Sequence, residues 1–257
     1  MRRRRQWWVR GSGRWQYTVV AGDVVLVWSA ILVVMLSLGW LVTEGLNDGI
    51  DPVDTDLSEW LADQRTQTLT DLAEIGSTGG DTITVCAMAA VVAIGISFWA
   101  RSVRPLVFIA VGLLGQALIY DLATRLMTRQ RPPVDLLDHG LDPNASYPSG
   151  HVSTSMMFFG GLVALVWTYA APRWRAPATL LLVVPPVVAA ARLYQGAHHL
   201  TDTLASLIVM PWWVVALTVL ILRSRFEPNV RHGQVGSGAP SGYDAARPDA
   251  HRRAAGG

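Results

Sequence analysis

Apolar runs of membrane-crossing length alternate with short polar blocks along this chain. Six runs stand out, at 24–42, 83–100, 106–120, 156–171, 178–191 and 203–222. A helix needs about 20 residues to cross the hydrocarbon core of a bilayer. The third, fourth and fifth runs fall short, and each reaches full length only by taking in polar residues at one end. The pattern predicts an all-α polytopic membrane protein, a six-transmembrane-helix bundle. Pro185 and Pro186 lie inside the fifth run and predict a kink, with neighbouring helices satisfying the backbone groups they free. Between the first two runs, residues 57–75 place Leu57, Trp60, Leu61, Leu69, Leu72 and Ile75 at roughly helical spacing. That stretch reads as a surface helical hairpin joining two spans. The sharper alternative is an interfacial lid that guides a lipid toward a site.

Composition agrees with this picture. Of 257 residues, 51% are hydrophobic and only 16% charged, a balance that suits a membrane chain better than a soluble domain. The net charge of +2 is too small to imply a nucleic-acid partner. All 21 basic residues are arginine, and their placement predicts topology. Arg2 to Arg5, Arg10 and Arg14 precede the first run. Arg101 and Arg104, Arg173 and Arg175, and Arg223 and Arg225 occupy every second boundary after it. These residues place both termini in the cytoplasm of a bacterial plasma membrane. The opposite side is acidic after the first run, and Arg125, Arg129, Arg131 and Arg192 break its pattern. Residues 1–20 read as a basic cytoplasmic arm and uncleaved anchor, 21–226 as the six-span domain, and 227–257 as a disordered cytoplasmic tail. The single cysteine, Cys86, sits in an apolar run as a small hydrophobe.

Three polar blocks lie on the extracytoplasmic side, and the first and third hold the four exceptional arginines. The first ends in Arg131-Pro132. The second, Tyr147 to His151, opens the fourth span. The third, ARLYQGAHHLTD, joins the fifth span to the sixth. These residue types suit phosphoryl transfer. Arginine forks bind phosphate oxygens in pairs. The amides of Ser149 and Gly150 at a helix start form an anion site, and glycine allows close approach. In a helical third block, His198 and Asp202 share a face, so the carboxylate would fix one ring nitrogen and leave the other as nucleophile. His151 could protonate the leaving oxygen and then take a proton from water. No metal or other cofactor is needed, although His198, His199 and Asp202 have spacing that also suits zinc.

The three blocks together resemble the signature of the type 2 phosphatidic acid phosphatase superfamily, in its membrane-bound lipid phosphatase branch. That signature runs Lys-x6-Arg-Pro, then Pro-Ser-Gly-His, then Ser-Arg-x5-His-x3-Asp. This chain has Arg131-Pro132, then Pro148-Ser149-Gly150-His151, then Arg192, His198 and Asp202 at matching spacing. The resemblance implies His198 as nucleophile through a phosphohistidine, Asp202 as its orienting group and His151 as general acid. Arg131, Arg192, Ser149 and Gly150 would hold the phosphate. Two positions depart from the pattern. Thr124 stands where the family has lysine, and Ala191 where it has serine. Arg125 or Arg129 is the expected substitute for the lysine, and Asp121, four residues before Arg125, competes for it.

The expected function is therefore hydrolysis of a lipid phosphate or diphosphate at the extracytoplasmic face. Polyprenyl diphosphate, phosphatidic acid and phosphatidylglycerol phosphate are the candidates by resemblance. The partners are that lipid and the bilayer. Two alternatives share the same residues: a phosphotransferase that passes the phosphoryl group to a lipid or sugar hydroxyl, and a non-catalytic lipid-headgroup binder. A soluble haloperoxidase with a related anion cradle does not fit six apolar spans. Mono- versus diphosphate preference and oligomeric state stay open.

Overall fold

The computed structural model describes residues 13–223, so the basic arm before residue 13 and the tail after 223 lie outside it. Six helical stretches there are long and apolar enough to cross a membrane: Thr18–Gly45, Thr82–Ala100, Arg104–Leu126, Gly150–Tyr169, Pro172–Tyr194 and Leu200–Leu222. They coincide with the six apolar runs, and the described residues contain no β-strand. The chain is an all-α, multi-pass membrane protein.

The first span is α1 (Gly13–Trp40), closed by a π-helical turn over Leu41–Gly45. A hairpin of α2 (Asn47–Asp63) and α3 (Gln67–Thr78) follows. The next spans are α4 (Thr82–Ala100), α5 (Arg104–Leu126) and α6 (Gly150–Tyr169). The third and fourth spans extend beyond their apolar runs by taking in polar ends, as the sequence pattern requires. At the end of α5, Asp121 and Arg125 pair across one turn at 2.9 Å, so the helix carries both charges at low cost.

The fifth span is broken. It runs as a 3-10 turn (Pro172–Trp174), α7 (Arg175–Thr179), a second 3-10 turn (Leu180–Val183) and α8 (Val184–Tyr194). Pro185 and Pro186 sit in the first turn of α8, where their missing N–H groups have no intrahelical partner to lose. The irregularity therefore falls just upstream of the prolines. The sixth span is α9 (Leu200–Leu217) with a closing π turn over Thr218–Leu222.

α6 is the central helix, packed on α4, α5, α8 and α9 and buried along most of its length. The main core gathers Met35, Phe108, Ile119, Met157, Phe158, Leu165, Met210 and Trp213 around it. Bilayer chains are as apolar as these side chains, so close packing and internal hydrogen bonds hold the bundle. Trp213 Nε1 donates to the Gly112 carbonyl at 3.0 Å, and Trp28 Nε1 donates to the Gly115 carbonyl at 2.9 Å. Thr154 donates to Gln116 at 3.1 Å between α6 and α5. Large apolar side chains such as Val25, Leu26, Val91, Phe98 and Trp212 face outward, as a lipid-facing surface requires.

Candidate active site

The three polar blocks converge at one end of the bundle. The first lies in the loop 127–149 after α5. Arg129 and Ala145 form an isolated bridge there, through Arg129 N–H to Asn144 O and Ser146 N–H to Arg129 O. Arg131 ties the loop to the α8–α9 connection. Its Nε donates to the Asp142 carbonyl and its Nη2 to the Ala145 carbonyl, both at 2.8 Å, and its Nη1 donates to the Ala197 carbonyl. Three of its five N–H donors are thus used on backbone, leaving two for a ligand. Burial pushes the Arg131 guanidinium below its ordinary pKa, and neighbouring Arg192 adds to the shift.

The second block starts α6. Ser149 is the N-cap, yet its hydroxyl makes no capping bond and lies buried without a partner. The first-turn amides of α6 have no intrahelical acceptor, so a free hydroxyl and free amides share the helix start. A Cβ placed on Gly150 would come within 3.0 Å of the Tyr120 ring, so glycine lets α6 begin flush against α5. His151 follows, half-buried. The backbone of Gly80 presses on it so closely that a Cβ there would sit 2.5 Å from the His151 carbonyl oxygen. Arg192, Asp138, Asp81 and Arg131 are the charges that act on the His151 ring.

The third block spans the end of α8 and the start of α9. Gly196 adopts φ +72°, a left-handed conformation that ends α8, and Arg65 caps the same end by donating to the Tyr194 carbonyl. Arg192, 1% exposed, donates from Nη1 to Asp138 at 2.7 Å and to Gln195 at 2.8 Å. Its Nε and Nη2 are buried with no partner. Two parallel unpaired donors of a buried guanidinium form one fork, the geometry that a phosphate or carboxylate matches.

His198 is buried, and its Nδ1 lies 2.6 Å from the carbonyl oxygen of Ser146. A carbonyl only accepts, so Nδ1 carries the proton and Nε2 keeps its lone pair. Burial drives the His198 pKa well below the ordinary value of 6.5. The positive groups Arg131 and Arg192 push in the same direction, and so does His151, which puts the two histidines in one electrostatic site. The ring is therefore neutral, with a lone pair on Nε2.

Asp202 is not the group on Nδ1. Its nearest oxygen is 3.9 Å away. His198 precedes α9, so the two residues never share a helical face. Asp202 instead sits in the first turn of α9, fully buried. It accepts from Arg129 Nη1 at 2.6 Å, from the Ser146 hydroxyl at 2.5 Å and from the His199 amide at 2.9 Å. Its link to His198 passes through Ser146. Among the described residues, no group of three or more His, Cys, Asp or Glu side chains is placed to hold a metal ion.

The structure corrects the expected substitutes for the missing lysine. Thr124 faces the site loop and donates to the Tyr147 carbonyl at 3.3 Å. Arg125 points away, paired with Asp121 and with 73% of its side chain exposed, so it does not join the phosphate-binding set. Arg129 is enclosed by acids. It donates to Asp51 at 3.0 Å, Asp54 at 2.9 Å, Asp202 and Thr201. Burial opposes its charge, but Asp202 and Asp54 outweigh that and hold its pKa above the ordinary value.

Comparison with known proteins completes the picture. Residues 105–226 match the model of the PAP2 superfamily. That region, just under half of the chain, resembles the superfamily. All three polar blocks of the chain lie inside the matched region. Its fold is similar to the crystal structure of a transmembrane PAP2-type phosphatidylglycerolphosphate phosphatase from Bacillus subtilis, with a TM-score of 0.65. The match covers 78% of this chain and 98% of that one, at 16% identity. No curated protein matches the sequence. Residues of the site that sequence reasoning missed are Ser146, Asp138, Asp51, Asp54, Thr201 and the Gly80–His151 contact. Asp51 and Asp54 come from α2 and Thr201 from α9, while Ser146, Asp138 and Gly80 lie in loops, so no single spacing pattern links them.

Proposed function

We propose that the protein is an integral membrane phosphatase that hydrolyses a lipid phosphate or diphosphate through a phosphohistidine. The observation that carries this reading is the unpaired fork of Arg192, buried in the same site as the neutral His198. Leaving buried donors unmade costs about 1–3 kcal/mol each, and a phosphate oxygen pair would recover it. The Ser149 hydroxyl, the amides at the start of α6 and the two spare N–H groups of Arg131 complete the cradle. The PAP2 match over residues 105–226 supports phosphatase chemistry, and the arginine distribution supports a site on the extracytoplasmic face.

In the reaction, His198 Nε2 attacks phosphorus and the bond from phosphorus to the lipid oxygen breaks. His151 gives its proton to that oxygen. The arginines and amides hold the three phosphoryl oxygens while charge builds on them. His151, now neutral, takes a proton from water as the water attacks phosphorus. The P–N bond breaks, releasing inorganic phosphate and restoring His198.

The test is phosphate release by purified protein in detergent across a panel of polyprenyl diphosphate, phosphatidic acid and phosphatidylglycerol phosphate. Activity on at least one, abolished in His198→Ala and His151→Ala proteins with unchanged circular dichroism, is expected. Full activity of His198→Ala overturns the assignment.

A further inference from the structure

α3 has three distinct flanks. Thr66, Thr70, Ala73 and Ser77 follow helical spacing and face the protein. The Thr66 amide donates to the Tyr194 hydroxyl at 3.0 Å, Gln195 Nε2 bonds Ser77, and Ala73 is buried beside Ala191 and Tyr194. Gln67, Asp71, Glu74 and Thr78 form a second line, polar and exposed. Leu69, Leu72 and Ile75 form a third, apolar and 43%, 57% and 71% exposed. A helix in water with this composition would turn its leucines toward the protein. This one turns them away.

The contacts with α8 show how α3 runs along the fifth span. Its N-terminal end meets Tyr194. A Cβ on Gly76 would lie 3.3 Å from the Ala191 Cβ and 3.6 Å from Val187, and one on Gly79 would lie 3.0 Å from Val184. α3 therefore runs antiparallel along the fifth span from Tyr194 to Val184. Ten helical residues correspond to about 15 Å, half of a hydrocarbon core. The neighbouring surface of that span is already lipid-facing, with Val183 58% and Val187 48% exposed. The apolar flank of α3 continues it. Gly80 and Asp81, where α3 hands over to α4, sit against His151.

We propose that α3 is a half-embedded wall of the site. Its Leu69–Leu72–Ile75 flank contacts the acyl chains of the leaflet at the site end, and its Gln67–Asp71–Glu74–Thr78 flank faces water. A lipid substrate slides its tail along the apolar flank while its phosphate enters the Arg192 fork. The substrate route rests on the phosphatase reading, but the placement of α3 does not.

Nitroxide labels test the placement. Single cysteines at 69, 72, 75, 71, 74 and 78 are introduced in a Cys86→Ala background and reconstituted in phosphatidylcholine vesicles. Labels at 69, 72 and 75 should relax with oxygen, which partitions into lipid, and those at 71, 74 and 78 with a water-soluble nickel chelate. Equal nickel accessibility of both sets overturns the placement. Kinetics test the route. Leu72→Asp should raise KM for phosphatidic acid in vesicles about tenfold, since it disturbs binding of the tail alone, while kcat/KM for a water-soluble aryl phosphate stays within about twofold. Unchanged phosphatidic acid kinetics overturn the route. Wild-type protein inactive on both substrates would instead count against the phosphatase reading, and the route with it, with the labels still deciding the placement.

Discussion

The Nδ1 of His198 lies 2.6 Å from the backbone carbonyl of Ser146, and the Ser146 hydroxyl lies 2.5 Å from Asp202. One serine thus joins the acid to the imidazole, through its side chain on one side and its main chain on the other. A neutral carbonyl polarises the ring less than a carboxylate would, which agrees with a neutral His198 surrounded by arginine.

Ser146 should therefore act as a positioning residue. Ser146→Ala frees the peptide to rotate, and small misplacement of a nucleophile costs up to about 100-fold in rate. We expect the rate of enzyme phosphorylation to fall about 10- to 100-fold with substrate affinity unchanged, and Ser146→Thr to restore most of it. Rapid-quench measurement of the first turnover checks this. A Ser146→Ala protein with the wild-type rate would show that Asp202 acts without it.

Two neighbouring arginines should behave in opposite ways. Arg129 neutralises buried Asp54 and Asp202, so Arg129→Ala strands two carboxylates and should cost about 3–5 kcal/mol, enough to lower the melting temperature sharply. Arg125 is an exposed partner of Asp121, and Arg125→Ala should change stability by less than about 1 kcal/mol and leave kcat/KM intact. Thermal denaturation and kinetics of the two variants separate them.

Arg192→Lys tests the fork. Lysine keeps the charge but supplies a single ammonium in place of two parallel donors. Loss of preorganised donors to the transition state should lower kcat/KM about 100- to 1000-fold. Competitive inhibition by inorganic phosphate should weaken in parallel. Retention of phosphate inhibition in Arg192→Lys would place the anion elsewhere.

The pH response follows from His198. Burial and the surrounding positive groups hold its folded pKa well below 6.5. His198 therefore stays neutral as pH falls through 6.5. With an aryl phosphate whose phenol leaves without protonation, phosphoenzyme formation should persist below that pH. Stability should move the other way. The unfolded chain takes up protons on His198 and His199 below about 6.5 while the native chain does not, so stability is full above that value and is lost as pH falls toward the folded pKa values. Melting temperatures between pH 7.5 and 5 check the sign.

Much of this was legible in the residue pattern, and the rest failed for identifiable reasons. Six apolar runs became six spans because length and polarity alone decide what can cross a bilayer. The histidines and Arg192 met because each sits at the end of a span on the same side. The α2–α3 hairpin was visible as amphipathic, but not which face meets the protein. Asp54 and Ser58 turn inward while Trp60 and Leu72 turn outward, and periodicity reads both arrangements alike. Arg129 looked like a free cation because its acids, Asp51 and Asp54, come from more than seventy residues upstream. Asp202 looked like the partner of His198 because helical spacing was assumed across a loop that ends only at Leu200.

The most direct measurement is acid-sensitive, base-stable labelling of the enzyme by a radiolabelled lipid phosphate, quenched within one turnover and mapped by peptide sequencing. A phosphoryl group on His198, absent from His198→Ala and accumulating when water attack is slowed in His151→Ala with an aryl phosphate, is the predicted result. Turnover that leaves the label on another residue, or on none, would contradict the account.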